Sequence, residues 1–256
     1  MAENYYDSER GASEYLLFHY GSPGMRPPPG WVEAGALSFP ARCVSLALDA
    51  ARLPAHARAL DLGCAVGRSS FELARHCAEV IGLDFSKQFI DLATRLRQRG
   101  SLRFKSFEEG ELTQARRAVV PPDIDRCRVK FETGDAMRLR PDLGEFDVVF
   151  MANLLDRLEE PLRCLERLPG LVRPGGQLIV ASPYTWLAGY TPRKNWLGGF
   201  ARGGRSVKTF DSLRRILSPH FKLLRRQDVP FLLREHARKY QLGLSEASSW
   251  VRRSLE

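Results

Sequence analysis

At 256 residues, with 44% hydrophobic and 27% charged residues, the chain has the size and balance of one large folded domain, which excludes a disordered or fibrous protein. No apolar run reaches the roughly 18 residues a membrane-spanning helix needs, and the opening MAENYYDSER is acidic and aromatic where a secretory leader would be basic and apolar, so a cytoplasmic protein is expected. The net charge of +9 comes mainly from dispersed arginine with no basic-aromatic stripe, so it reads as a solvated surface and a nucleic-acid partner is not expected.

In chain order, Tyr15, Leu16, Phe18 and His19 sit at near-helical spacing, and GSPGMRPPPG after them breaks any regular element, so residues 1–40 read as a short helix and cap laid across the domain. FPARCVSLALDAARL places Phe39, Cys43, Leu46, Ala47 and Ala50 on the period of an amphipathic helix. ARALDLG then reads as a strand, SSFELARHC as a helix, EVIGLDF as a strand and SKQFIDLATRLRQR as a helix. Ser69 with Glu72 predicts a capping box, and Ser86 an N-cap. RVKFETGD, FDVVFMAN and GQLIVAS continue as strands, with PLRCLERLPGLV helical between the last two.

Such alternation of near-continuous apolar strands with helices predicts a single α/β domain built on a doubly wound, mostly parallel sheet covered on both faces. Two stretches break the rhythm: an Arg/Glu-rich insertion over 100–127, and an aromatic and basic loop over 183–210 that reads as an ordered lid over a site. DSLRRILSPH reads as a last helix, and FKLLRRQDVPFLL with EASSWVRR as an antiparallel pair that completes the sheet. Cys43, Cys64, Cys77, Cys127 and Cys164 include no CxxC pair, so reduced thiols and no zinc site are expected.

The chemistry concentrates in Asp61-Leu62-Gly63-Cys64-Ala65-Val66-Gly67, which follows the first strand and opens a helix. In a doubly wound sheet this turn floors the ligand crevice, and Gly63 and Gly67 let the backbone bend sharply and approach a ligand closely. Asp84 ends the second strand 23 residues beyond Asp61, where a carboxylate can accept bonds from ribose hydroxyls, with Phe85 beside it. A dinucleotide site would show GxGxxG; here the loop is GxAxG behind an acid that would repel a pyrophosphate but suits a ligand with a cationic amino-acid end. Those features point to S-adenosylmethionine. Cys64, inside the loop, has no evident chemistry there and reads as packing.

This arrangement resembles the seven-stranded class I methyltransferases, over roughly residues 55–182. The resemblance implies that Gly134, Asp135 and Ala136 meet the adenine, that Asn153 and Leu154 lie near the methyl group and acceptor, and that Arg173-Pro174-Gly175-Gly176 is the family's turn before GQLIV. The flanks EYLLFHYG, FPARC, ANLLDRL, ASPYTWLAGYTPRKNWLGG and PFLLREHARKYQ, with the loop itself, resemble the C-terminal methyltransferase domain of ovothiol synthase. That resemblance implies N-methylation of the imidazole of 5-thiohistidine (4-mercaptohistidine), the last step of ovothiol A formation. The iron-dependent sulfoxide synthase region that precedes the domain in the fused enzyme is absent, so coupling to a separate synthase is expected.

Candidate acceptor-side residues are Tyr15, His19 and Tyr20 from the first helix, Tyr184, Tyr190, Arg193 and Trp196 from the lid, and Arg234 and Glu235 near the end. Arg193 or Arg234 could grip a carboxylate as a bidentate fork. Asn153, Asp156 and His236 are the candidate catalytic residues, with Asp156, Glu235 or His236 able to act as base or to hold the α-amino group. Two other readings share the cofactor residues: a class I methyltransferase for another small molecule, and a nucleic-acid-associated protein that binds S-adenosylmethionine without turnover.

Overall fold

The computed structural model describes residues 5–21 and 36–254. Its central sheet has seven strands in the order β10-β11-β7-β6-β1-β2-β5, where β1 is Arg58–Leu62, β2 Glu79–Asp84, β5 Val129–Thr133, β6 Phe146–Ala152, β7 Val172–Ser182, β10 Phe221–His236 and β11 Lys239–Arg252. β1 pairs in parallel with both β2 and β6, and β2 with β5 and β6 with β7 likewise; β11 runs antiparallel between β7 and β10. The expected doubly wound, mostly parallel sheet with an antiparallel C-terminal strand is therefore found. Sequence order and strand order reverse between β1 and β6, which opens a crevice at the carboxyl ends of the strands.

Strand side chains alternate between two apolar layers, as a period of two requires. Val148 and Phe150 of β6 face a core that also holds Leu16, Phe39, Val44, Phe71 and Phe89, while Val149 and Met151 face another with Leu165, Leu178, Leu213 and Trp250. The first layer comes from α1 (Glu9–Tyr20), α2 (Phe39–Ala47), α3 (Arg68–Leu73) and α4 (Lys87–Arg99), the second from α5 (Pro161–Arg167) and α6 (Thr209–Leu217). Among the described residues no helix is long and apolar enough to cross a membrane.

Four local expectations change. The helix read through SSFELARHC is only α3, and its N-cap is Gly67 at φ 86, because Ser69 and Ser70 both donate to Asp61. No Ser69–Glu72 capping box therefore forms, whereas Ser86 does cap α4, accepting from the Phe89 N–H. The 100–127 insertion is an antiparallel hairpin, β3 (Ser101–Glu109) with β4 (Leu112–Val119), standing outside the main sheet. Within 183–210 lies another, β8 (Phe200–Arg202) with β9 (Arg205–Val207), turned on Gly203 and Gly204, both at positive φ as a tight two-residue hairpin demands. Of the GSPGMRPPPG stretch, all but its first glycine lies outside the described residues.

Candidate functional site

The carboxyl ends of β1, β2 and β6 open onto a cavity of about 460 Å³, roofed by α1 and the single helical turn Tyr5–Asp7 before it. On its floor, Gly63 adopts φ 73, and a Cβ there would come within 2.9 Å of Leu154 Cδ1. Gly67, at φ 86, is packed against Phe131, so it shapes the turn without lining the cavity. Ala65 lines it and is forced to φ 46, a left-handed conformation that strains any residue with a Cβ. Cys64 is buried behind the wall, and burial pushes its thiol well above the usual range.

Two carboxylates frame this floor. Asp84 accepts from the Ala65 N–H at 2.8 Å and the Ser86 N–H at 2.9 Å, one on each oxygen, so its orientation is fixed while lone pairs face the cavity. Burial raises its pKa against the pull of those N–H groups. Asp61 is 1% exposed and takes both Ser69 and Ser70 hydroxyls on one oxygen; burial pushes it up to about 6. Phe85 is 69% exposed at the rim, a flat apolar face across from Gly134, Asp135 and Ala136, with Asp135 turned inward on the Met137 N–H. These residues suit a nucleoside with a cationic amino-acid tail: a diol for Asp84, an apolar face and acceptor for adenine, an anion for the ammonium end.

A second part of the cavity lining is aromatic. Tyr6, Tyr15, Phe18, Phe39, Tyr190 and Phe231 form it, with Tyr6 and Tyr190 ring centroids 6.0 Å apart. Burial raises the pKa of Tyr6 and of Tyr15, so both keep their protons. His19 lines the same wall and is pushed down to about 3 by burial and by Arg68; its Nδ1 accepts from the Arg68 N–H, which leaves the proton on Nε2. Asn153, at φ 54, is braced by the Ser245 hydroxyl donating to its Oδ1 at 2.7 Å. Leu154 lines the cavity beside it.

Sequence reasoning passed over Arg157, which is the arginine that the cavity wall presents among the described residues. Its Nη1 donates to Asp156 Oδ2 and to the backbone oxygens of Asp156 and Thr185, and the guanidinium lies 4.9 Å over the Tyr190 ring. Burial works against its charge, but Asp156 together with Tyr6 and Tyr15 outweighs it and raises its pKa. Asp156, 1% exposed, also accepts from the Ser182 hydroxyl and the Thr185 N–H, so it is a fully engaged partner of Arg157 and no free base. The signal was the arginine directly after the acid in ANLLDRL, at the end of the fourth core strand.

Other expected residues lie elsewhere. Tyr20 donates to the Val66 oxygen and braces the glycine loop from behind, while Tyr184 donates to Glu246. Arg193 lies over the Trp196 ring, and Trp196 stacks on Trp186 in the second core layer, so neither lines this cavity. Arg234 is 8% exposed and held by Glu108; Glu235 is held by Lys239 and Gln241; His236 Nδ1 accepts from the Arg238 N–H at the hairpin end. None of the three lines the cavity, because β10 carries Phe231 and Leu233 to its wall and these residues past it.

Residues 60–178 match the family described as methyltransferase domain. The chain is 27% identical to the ubiquinone biosynthesis O-methyltransferase of Coxiella burnetii over 123 residues, 48% of this chain and 42% of that protein. It is 29% identical to the 2-methyl-6-phytyl-1,4-hydroquinone methyltransferase of Synechocystis over 187 residues, 70% and 49%. The chain thus spans less than half the length of these curated relatives. Among solved structures, magnesium protoporphyrin IX methyltransferase of Synechocystis with bound S-adenosylhomocysteine shares the fold at TM-score 0.56, 19% identity and 98% and 97% coverage. The cyclase SpnF shares it at 0.60, 18%, 98% and 95%. Residues 60–178 thus match a methyltransferase-domain family, and the chain shares the fold of a solved methyltransferase that holds S-adenosylhomocysteine.

Proposed function

We propose that the chain methylates an imidazole nitrogen of 5-thiohistidine, the last step of ovothiol A formation, on material supplied by a separate sulfoxide synthase. The observation that carries this reading is the acceptor half of the cavity: an aromatic chamber with Arg157 in its wall, tyrosine hydroxyls that keep their protons and a neutral His19 imidazole. The flanking motifs EYLLFHYG and ANLLDRL build that half, and they are the stretches that resemble the ovothiol enzymes.

Asp84 would hold the cofactor's ribose, Phe85, Asp135 and Ala136 its adenine, and Asp61 its ammonium end, with Gly63 and Ala65 allowing close backbone approach. When bound, S-adenosylmethionine supplies a methyl group on cationic sulfur. On the acceptor side, Arg157 offers its guanidinium to the amino-acid carboxylate, and Tyr6, Tyr15 and Tyr190 enclose the ring and exclude water. His19 donates from Nε2 and takes no proton near neutral pH. Neutral donors suit thiohistidine in its thiolate form: the ring nitrogen already has a lone pair, and the positive charge the ring gains is balanced by its own thiolate, so no base is required. Donors that hold the sulfur aside leave selectivity to alignment.

The names of the quinone relatives make a phenolic acceptor the second reading. An aromatic wall would accept it, but a hydroxyl must lose a proton, and Asp156, the acid beside Arg157 and Tyr190, is already held by Arg157, Ser182 and Thr185. Incubation with labelled S-adenosylmethionine and 5-thiohistidine, with histidine, a phenol and a simple thiol as controls, decides between them. N-methylation of thiohistidine alone, located by mass spectrometry and NMR, is expected; S-methylation or turnover of the phenol alone overturns the proposal.

A further inference from the structure

The β3–β4 hairpin, outside the sheet, meets the C-terminal half of α4 around a groove of about 310 Å³ lined by Arg95, Arg99, Ser101, Leu102, Arg103 and Arg117. No acid lines it, and among the described residues none of the four guanidinium groups has a carboxylate partner. Elsewhere the arginines are commonly paired, as at Arg58–Glu79, Arg75–Asp123 and Arg140–Glu132.

Two like-charge juxtapositions converge here. Arg103 and Arg117 are direct cross-strand partners, and Arg95 and Arg99 lie one helical turn apart. Both placements work against folding. The helix dipole accounts for an arginine in the last turn of α4, such as Arg99, but not for Arg103 facing Arg117. Arg117 is also pre-oriented, with Nε and Nη2 donating to Ser101 Oγ at 3.1 and 2.8 Å. An anion in the groove would turn each repulsion into an attraction.

We propose that this groove is a second ligand site, for a small polyanion bearing phosphate groups. Planar guanidinium forks match phosphate oxygens, and four of them around a small volume call for several charges on one compact molecule. The set occupies one groove, with Leu102 as its sole apolar wall, where a single-strand binder would carry aromatics along a basic track. Arg95 and Arg99 lie near the far end of α4, so the groove sits about 14–20 Å along that helix from Ser86.

The test is calorimetric titration of inorganic tripolyphosphate into the full chain at constant ionic strength, with thermal melts of wild type, Arg103→Gln and Arg103→Gln/Arg117→Gln. One saturable site is expected, weakened at least tenfold by Arg103→Gln and further by the double change. The free Arg103→Gln protein should melt no lower than wild type, since a repulsion is removed, and S-adenosylmethionine affinity should stay within twofold. Equal tripolyphosphate binding by the variants, or equal binding of citrate, overturns the proposal. Single-stranded RNA binding more tightly, with affinity rising with length, overturns it in favour of a nucleic-acid surface. Should the double variant fail to fold, Arg95→Gln provides the same comparison.

Discussion

Replacing Arg157 with methionine keeps most of the side-chain volume beside Tyr190 but removes the cation that the acceptor half of the cavity presents. A hydrogen bond to a charged group contributes about 1.5–3 kcal/mol, so loss of one carboxylate contact lowers kcat/KM for thiohistidine by about 10- to 150-fold. The loss should appear chiefly in KM. An analogue in which the amino-acid carboxylate is absent should be a poor substrate for wild type and equally poor for Arg157→Met. S-adenosylmethionine affinity, measured by calorimetry, should change less than twofold. Asp156 loses one of its donors but keeps Ser182 and Thr185, so the fold survives with a melting point lower by several degrees. If the analogue loses as much as thiohistidine, Arg157 acts through the fold; if cofactor affinity falls equally, Arg157 holds the cofactor. Either result refutes the carboxylate assignment.

Asp61, raised to about 6 in the free protein, becomes harder to protonate beside a cationic ligand, so S-adenosylmethionine affinity should be full above pH 6 and fall as pH drops through it. The dependence approaches tenfold per pH unit at most, and Asp61→Asn should flatten it in a calorimetric pH series. Arg193→Ala should leave both cofactor affinity and acceptor KM within twofold, because Arg193 rests on Trp196 away from the cavity; a selective rise in acceptor KM would restore it to the site. Ala65→Gly removes the left-handed strain at φ 46 and should stabilise the protein by about 1 kcal/mol in denaturant unfolding; a lower midpoint would show that the Ala65 methyl packs favourably.

The glycine-loop side of the cavity was legible because its determinants are local. Asp61, Gly63 and Gly67 announce a turn that needs positive φ behind a buried strand, and Asp84 sits at the matching end of the next strand. The β3–β4 hairpin was hidden because charge on its exposed face masks the alternation that leaves Leu102, Ser106 and Ala118 buried. Ser69 read as a cap because pattern alone cannot show that Asp61 competes for its hydroxyl. Arg193, Trp196, Arg234, Glu235 and His236 were drawn to the site by their chemistry, but tertiary packing decides which end of a loop or long strand reaches the cavity. Arg157, passed over in the sequence, ends the short turn Leu155–Arg157, and it is the packing of Tyr190 against it that places it at the wall.

The interleaving of β11 between β7 and β10 sets a timetable for synthesis. β10 leaves the ribosome before β11, yet its sheet neighbour is β11, and β7 offers only an unpaired edge until β11 arrives. Phe231, Leu233 and Gln241 are then set in the wall, and Ser245 reaches Asn153, in one late event. A nascent chain stalled before β11 would own the glycine loop and both carboxylates but no closed acceptor chamber. The cavity wall is therefore completed only when β11 has paired with both of its neighbours, and a fault in that single strand would open the wall while leaving the parallel part of the sheet intact.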